Sequence, residues 1–475
     1  MLIPAGARLT LQIVRKPVIF LRFFGFGLSV TKIHSPVTEF QLSFTPMNTF
    51  PEFGLLPSLL KTLKAKRIFT PTEIQQFAIP LMMSGQSVVG VSETGSGKTL
   101  TYALPVLHLL KTMEDEGNPV TESGQPRAVI LVPTRDLGEQ VSKVFKEYTH
   151  DTRLRVRPAL GGMAFEQARR NVGSPFEILL ATPGRLIQLI EKKLVNFKDV
   201  KILIFDEADQ MLDQGFLSDS QIIVKICPED TPLALFSATV SQNVQSLMNS
   251  LFSHAEVIRT SGSGKVVKTL TTKNETVIDG LRWPIFEKYL RQKVAGGTLI
   301  FTNTRDQCDK IAAEMIEKGY PCLVYRGEMD KSERRANLKK FRSGEIDLMI
   351  STDLAARGLD LEHVGRVINY HLPQQMENYL HRAGRTARAG RKGLVINMVT
   401  ERDLILVSKL EGKHQTPKEL KTRFLDSSGK RLHVPKEMRK PPRIKKSAAA
   451  AVAAKKPIRK SPKPKFKPKP YSPQK

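Results

Sequence analysis

An α/β protein of two parallel-sheet units joined by a polar linker is the fold class this 475-residue sequence predicts. Three observations carry that expectation. Short apolar runs, each long enough for a strand, alternate with segments of helical periodicity. The alternation halts in a stretch rich in Ser, Gly, Lys and Thr, Thr260–Asn274, and then begins again. The runs are apolar at nearly every position, as strands covered on both faces must be.

In chain order, the first 46 residues are apolar and basic, with five Lys and Arg against the single acid Glu39. They read in three ways: as an upstream in-frame extension with Met47 the true start, as a targeting segment, or as a folded extension. Strands are then predicted at Ser87–Val91, Ala128–Val132, Glu177–Ala181, Lys201–Phe205 and Leu233–Phe236, with helices such as Leu137–Tyr148 and Arg185–Lys192 between them. The second series is Thr298–Phe301, Cys322–Tyr325, Leu348–Ser351, Arg366–Asn369 and Leu394–Met398. The expected organisation is therefore an extension over 1–46, a first unit over 47–258, a linker over 259–274, a second unit over 275–412 and a tail over 413–475. The tail holds 21 Lys and Arg against 3 Asp and Glu, with closely spaced prolines, and reads as a disordered basic tether. Its Ser447–Ala454 run could instead form a transient helix.

Composition narrows the function classes. The formal charge of +28 points to a polyanionic partner, most simply a nucleic acid. Three cysteines, with no C-x-x-C pair, exclude a disulfide scaffold and a zinc ribbon and suit a reducing compartment. No apolar run reaches the roughly 18 residues of a membrane span.

The chemistry is concentrated in a few motifs. The strand at Ser87–Val91 runs into Ser92, Glu93, Thr94, Gly95, Ser96, Gly97, Lys98 and Thr99, followed by a helix. Small residues there let backbone N–H groups approach phosphates, and the helix N-terminus adds positive potential. Lys98 would reach the β and γ phosphates and Thr99 would bind Mg²⁺. The strict pattern has Gly where this chain has Ser92. The strand at Lys201–Phe205 ends in Asp206, Glu207, Ala208 and Asp209. Carboxylates at the end of a buried strand are costly without a cation or donors. Asp206 would hold the metal shell and Glu207 would polarise the attacking water.

With these motifs in place the chain resembles the DEAD-box RNA helicases, ATPases of two RecA-like domains, from about Phe50 to Gly393. The resemblance implies the remaining assignments. Phe50 and Gln75 belong to the adenine-reading motif. Pro133, Thr134 and Arg135, Gly161 and Gly162, and Thr182, Pro183, Gly184 and Arg185 are the RNA-backbone contacts of the first domain, joined by Thr352 and Arg357 in the second. Ser237 and Thr239, with Asp209, couple hydrolysis to strand separation. Asp360 touches the ATP ribose, and Arg385 and Arg388 reach across to the γ-phosphate as the cleft closes on ATP and RNA. The sequence departs from the family where Arg67-Ile68 replaces a Gly-aromatic pair, where Ala383 replaces a β-branched residue, and where Arg326 and Lys331 replace a His and a Gln.

The implied activity is RNA-stimulated hydrolysis of ATP, with ATP and Mg²⁺ as cofactors, coupled to local unwinding of short duplexes or remodelling of ribonucleoproteins. RNA is the expected partner, with ribosomal particles or RNA-decay machinery open, no membrane, and a monomeric core. A cytoplasmic location is expected, or a mitochondrial one if residues 1–46 are a genuine presequence. The compact core suggests a bacterial-type enzyme. A DNA translocase would share the phosphate loop and arginines but not the adenine motif. An ATP-dependent RNA clamp would keep the motifs yet hydrolyse slowly, and the intact Glu207, Arg385 and Arg388 argue against it.

Overall fold

The computed structural model describes residues 30–32, 40–42, 47–262, 270–356, 361, 364–387, 391–411, 422–425, 428 and 430–433. The chain divides into two units, Met1–Lys265 and Val266–Lys475. Within residues 1–46, strands β1 (Val30–Lys32) and β2 (Phe40–Leu42) pair antiparallel.

The first unit is built on seven parallel strands: β3 (Val88–Val91), β4 (Ala128–Leu131), β5 (Val156–Ala159), β6 (Ile178–Ala181), β7 (Ile202–Phe205), β8 (Leu233–Ser237) and β9 (Glu256–Arg259), in the spatial order β5-β6-β4-β7-β8-β3-β9. Strand side chains alternate faces, so Val88, Ile130 and Ile178 enter one core while Val89, Val129 and Leu179 enter the other. That is why the central runs contain no polar position. Strand β8 lies between β3 and β7, with Val91 level with Ser237 and Phe205 level with Leu235. The carboxyl ends of three strands, two of them carrying the phosphate loop and the acidic cluster, are thereby held side by side. Ligands of open α/β sheets bind at this edge.

The second unit has six parallel strands: β10 (Leu270–Thr276), β11 (Gly297–Thr302), β12 (Leu323–Tyr325), β13 (Leu348–Thr352), β14 (Val364–Asn369) and β15 (Gly393–Val399), ordered β10-β15-β14-β11-β13-β12. Strand β10 begins inside the stretch expected to be linker. Its sequence LTTKNET is polar because it is an edge strand, paired only with β15 and covered less than the rest. A second departure lies in the expected tail. Phe424 is buried among Leu372, Val399, Leu404 and Val407, so a short part of the basic C-terminal region packs on this unit. Residues 434–475 lie outside the described residues. Among the described residues no helix is long and apolar enough to cross a membrane.

Candidate nucleotide and RNA site

The phosphate loop leaves β3 and closes on the N-terminus of helix Lys98–Asp115. Gly97 sits at φ 88°, and a Cβ there would lie 2.6 Å from Gln75 Nε2, so only glycine fits. Gln75 braces the turn: its Nε2 donates to the Gly97 carbonyl at 3.1 Å and its Oε1 accepts from Thr72 N at 2.9 Å. An amide has two donors and two acceptor positions, so one of each remains for a base edge. Ser92, fully buried, shares a 2.8 Å hydroxyl contact with Ser96. Glu93 accepts from Thr260 Oγ1 at 3.1 Å, while Thr94 and Gly95 form the outer turn of the loop.

Lys98 is buried, and its ammonium donates to the carbonyls of Ser92 at 2.7 Å and Glu93 at 2.9 Å. Burial pulls its pKa down, against the attraction of Asp206, Glu207, Asp209 and Glu93. Asp206 is 3% exposed and accepts from the Tyr102 hydroxyl at 2.6 Å. Burial, and then the charge of Glu207, push its carboxyl up to about 6. Thr99 interacts with the same Tyr102 hydroxyl, which brings the two expected metal-binding side chains to one phenol. Lys98 and Asp206 are therefore a buried cation and a buried anion that make no ion pair with each other. A divalent ion and a triphosphate would relieve both. Among the described residues no three His, Cys, Asp or Glu gather around a point.

Glu207 stands at φ 48°, ψ 52°, a left-handed conformation uncommon for a residue with a Cβ, and its N–H donates to Asp206 Oδ1 at 3.0 Å. Asp209 holds the end of β8, where the expected coupling residues Ser237 and Thr239 lie. Its Oδ2 accepts from Ala238 N at 3.2 Å, Thr239 N at 2.9 Å and Thr239 Oγ1 at 2.9 Å, while Ser237 Oγ donates to the Thr239 carbonyl at 2.7 Å. Asp209 N in turn donates to Ser237 Oγ at 3.3 Å. Displacing Asp209 would thus move the end of β8.

The expected RNA-contacting loops of this unit are stitched together. Arg135 Nη1 donates to the Gly162 carbonyl at 3.2 Å, Gly161 N to Thr182 Oγ1 at 2.9 Å, and Arg185 Nη2 to the Met163 carbonyl at 2.7 Å. Thr134 caps helix Arg135–Thr152, and Thr182 precedes helix Pro183–Glu191, so Pro133, Pro183 and Gly184 lie in the same two turns. Phe50, assigned by resemblance to the adenine-reading motif, lies within the core of the first unit. It is 2% exposed in the core, edge-on to Phe53 at 5.9 Å.

In the second unit, Thr352 ends β13, and the following Asp353 binds Arg382 through both oxygens at 2.5 and 2.7 Å. Arg382 also donates to Asn303 Oδ1 and the His371 carbonyl, and lies over the Phe301 ring. It is a fully engaged structural residue. Arg385, also buried, donates from Nε to the His381 carbonyl at 3.2 Å. Arg357, Asp360 and Arg388 lie outside the described residues.

Three residues of these sites escape the sequence reading. Tyr102 stands four residues after Lys98, on the same helical face, and that spacing is its only sequence signal. Asp353 directly follows Thr352 in the sequence, with no signal of its own. Asn303 has no local signal.

Two parallel sheets, one carrying a phosphate loop beside a strand-end acidic cluster, define a phosphate-loop ATPase. Residues 72–247 match the family model of the DEAD/DEAH box helicase and residues 282–390 that of the helicase conserved C-terminal domain. The chain is 36% identical over 371 residues to the ATP-dependent rRNA helicase RRP3 of Pyricularia oryzae, covering 77% of this chain and 67% of that protein. It is 36% identical over 387 residues to the ATP-dependent RNA helicase DBP2 of Saccharomyces cerevisiae, covering 79% and 70%. A structure of S. cerevisiae Dbp5 bound to RNA and ADP BeF3 superposes with TM-score 0.67 at 26% identity, over 77% of this chain and 93% of that one. The chain belongs to the DEAD-box family of ATP-dependent RNA helicases.

Proposed function

We propose that ATP and Mg²⁺ are held in the first unit by Lys98, Thr99 and Asp206, and that Glu207 polarises the attacking water. The buried, mutually unpaired Lys98 and Asp206 at adjoining strand ends support this reading most directly. When bound, the metal supplies positive charge to the phosphate oxygens and orients them. Lys98 supplies a fixed cation for the β and γ phosphates. Glu207, beside Asp206 and held in a strained turn, accepts the proton of the nucleophilic water. Asp209 reports the state of that turn to Ser237 and Thr239 through the bonds described above. By family resemblance, Arg385 and Arg388 stabilise charge on the transferred phosphoryl group, Asp360 holds the ribose, and Thr352 and Arg357 meet RNA.

Glu207→Gln should retain ATP binding and lose most RNA-stimulated turnover, because an amide cannot take the proton. Arg388→Ala should lose roughly 10³-fold in turnover at saturating ATP, with Arg385→Ala following in direction. Steady-state phosphate release measures all three, and wild-type turnover in Glu207→Gln removes that residue from the mechanism.

The rRNA helicase name of the Pyricularia relative favours ribosomal particles as the RNA substrate, over RNA-decay machinery. The three free cysteines suit a reducing compartment, and a cytoplasmic location with a monomeric core is the proposal. Crosslinking with sequencing of bound RNA, together with fractionation of the native cell, tests substrate and location. Recovery in mitochondria would overturn the latter.

A further inference from the structure

We propose that the flank of the first unit beside Arg135 is a further RNA-backbone groove, which carries the strand beyond the loops at the sheet edge. The inference rests on the reading of Arg135 and those loops as RNA contacts. A groove of 560 Å³ runs down helix Arg135–Thr152. One wall is a single helical face, Arg135, Glu139, Lys143 and Lys146, recurring at intervals of three or four. Its floor is Pro158, Leu160 and Met163.

Charge decides the occupant. Glu139 and Glu147 also line the groove, but each already faces a cation, Arg135 and Lys66 respectively, at 2.7 Å. Lys143 and Lys146 are exposed and, among the described residues, paired with no carboxylate. At 1.5 Å of rise per residue they stand about 12 and about 16 Å along the helix from Arg135. Arg135 itself is bonded to Gly162, so the groove opens onto the Gly161–Gly162 loop. Two free ammonium groups continuing a line of backbone contacts match successive phosphates, and the apolar floor can take the face of a sugar or base. An acidic peptide would satisfy the lysines but has no reason to begin at the RNA loops.

The test is fluorescence anisotropy with oligouridylate of about 6 and about 20 nucleotides, lengths that bracket a short and an extended single-strand site. The full chain is titrated across a salt series. Lys143→Gln/Lys146→Gln should flatten the salt slope for the longer RNA by about 1.4, two contacts at about 0.7 each. Its slope for the shorter RNA should stay that of the parent. Equal slopes in variant and parent on the longer RNA, or the same loss on both lengths, would overturn the groove. Arg135→Ala should weaken both lengths. If it leaves the shorter RNA unaffected, the reading of the loops fails, a result separate from failure of the lysine variant alone.

Discussion

Asp206 is held in its ionised form against its own surroundings. Its carboxyl is raised from the ordinary 3.8 to about 6, burial being the larger cause and the neighbouring Glu207 the next. A carboxyl whose folded pKa is raised contributes stability that is complete below the unfolded value and is lost as pH rises through the folded one. The nucleotide-free protein should therefore lose stability from about pH 4 to above pH 6. Asp206→Asn cannot ionise and escapes that loss. It should be more thermostable than the parent at pH 7.5 by on the order of 1–3 kcal/mol, a few degrees in Tm. The advantage should vanish near pH 4, and Mg²⁺-dependent ATP binding should be lost at every pH. Scanning calorimetry across pH decides it. A lower Tm for the variant at pH 7.5 would show that its bonds to Tyr102 and Glu207 N outweigh its desolvation. Glu207 has the same character in its backbone, a residue with a Cβ kept at positive φ beside Asp206.

Across elements, the second sheet is tied by a row of amides rather than by apolar contact alone. Asn369 on β14 donates to Asn397 on β15 at 2.8 Å, Asn397 donates to Asn274 on β10 at 2.8 Å, and Asn274 reaches Glu411 at 2.9 Å. Arg382 donates to Asn369 Oδ1 at 3.2 Å, so the row extends into the helix that precedes Arg385. Asn397→Ala strands the Asn369 amide and the Asn274 carbonyl oxygen. Asn369 is fully buried, and its unmade bond costs about 1–3 kcal/mol; Asn274 is only half-buried and adds less. Hydrogen exchange should show β10, β14 and β15 opening at lower free energy, with the first unit unaffected. Unchanged protection in those three strands would refute the row as a stabilising element. The row is invisible in the sequence because its rungs cross between elements, Asn397 to Asn274 and Asn274 to Glu411 standing 123 and 137 positions apart. The same physics separates the strands that periodicity finds from those it misses. Strands such as Ala128–Leu131 and Ile202–Phe205 are covered on both faces and so are wholly apolar. Strands β5, β9 and β10 are sheet edges, where Arg157, Pro158, Glu256 and Lys273 are tolerated. The phosphate loop and the acidic strand end are legible because each is contiguous in sequence. The Tyr102 bond to Asp206 and the burial of Phe50 depend on packing, which no motif encodes.

For the whole molecule, the excess charge and the C-terminal packing can be separated experimentally. Residues 434–475 contain 15 Lys and Arg against the single acid Glu437, and each phosphate such cations neutralise steepens the salt dependence of single-strand binding by about 0.7. The stretch before it does different work. Phe424 is 5% exposed in an apolar cluster, Arg423 pairs with Glu411 at 2.5 Å, and Arg431 pairs with Glu401 at 2.6 Å. The last pair is exposed and adds little. The burial of Phe424 is the larger contribution, about 1.5–3 kcal/mol for one such side chain. Truncation after His433 should therefore leave Tm unchanged while it raises the RNA KM and flattens its salt dependence, by a slope of about 3.5 if five phosphates are met. Truncation after Gly412 should do the same to RNA binding and also lower the Tm, because Leu372, Val399 and Leu404 lose their cover. RNA titrations at several salt concentrations, paired with thermal unfolding of both truncated proteins, distinguish the two roles. An unchanged salt slope after removal of 434–475 would show that these cations touch no RNA. An unchanged Tm after removal of 413–475 would show that Phe424 covers nothing the second unit needs.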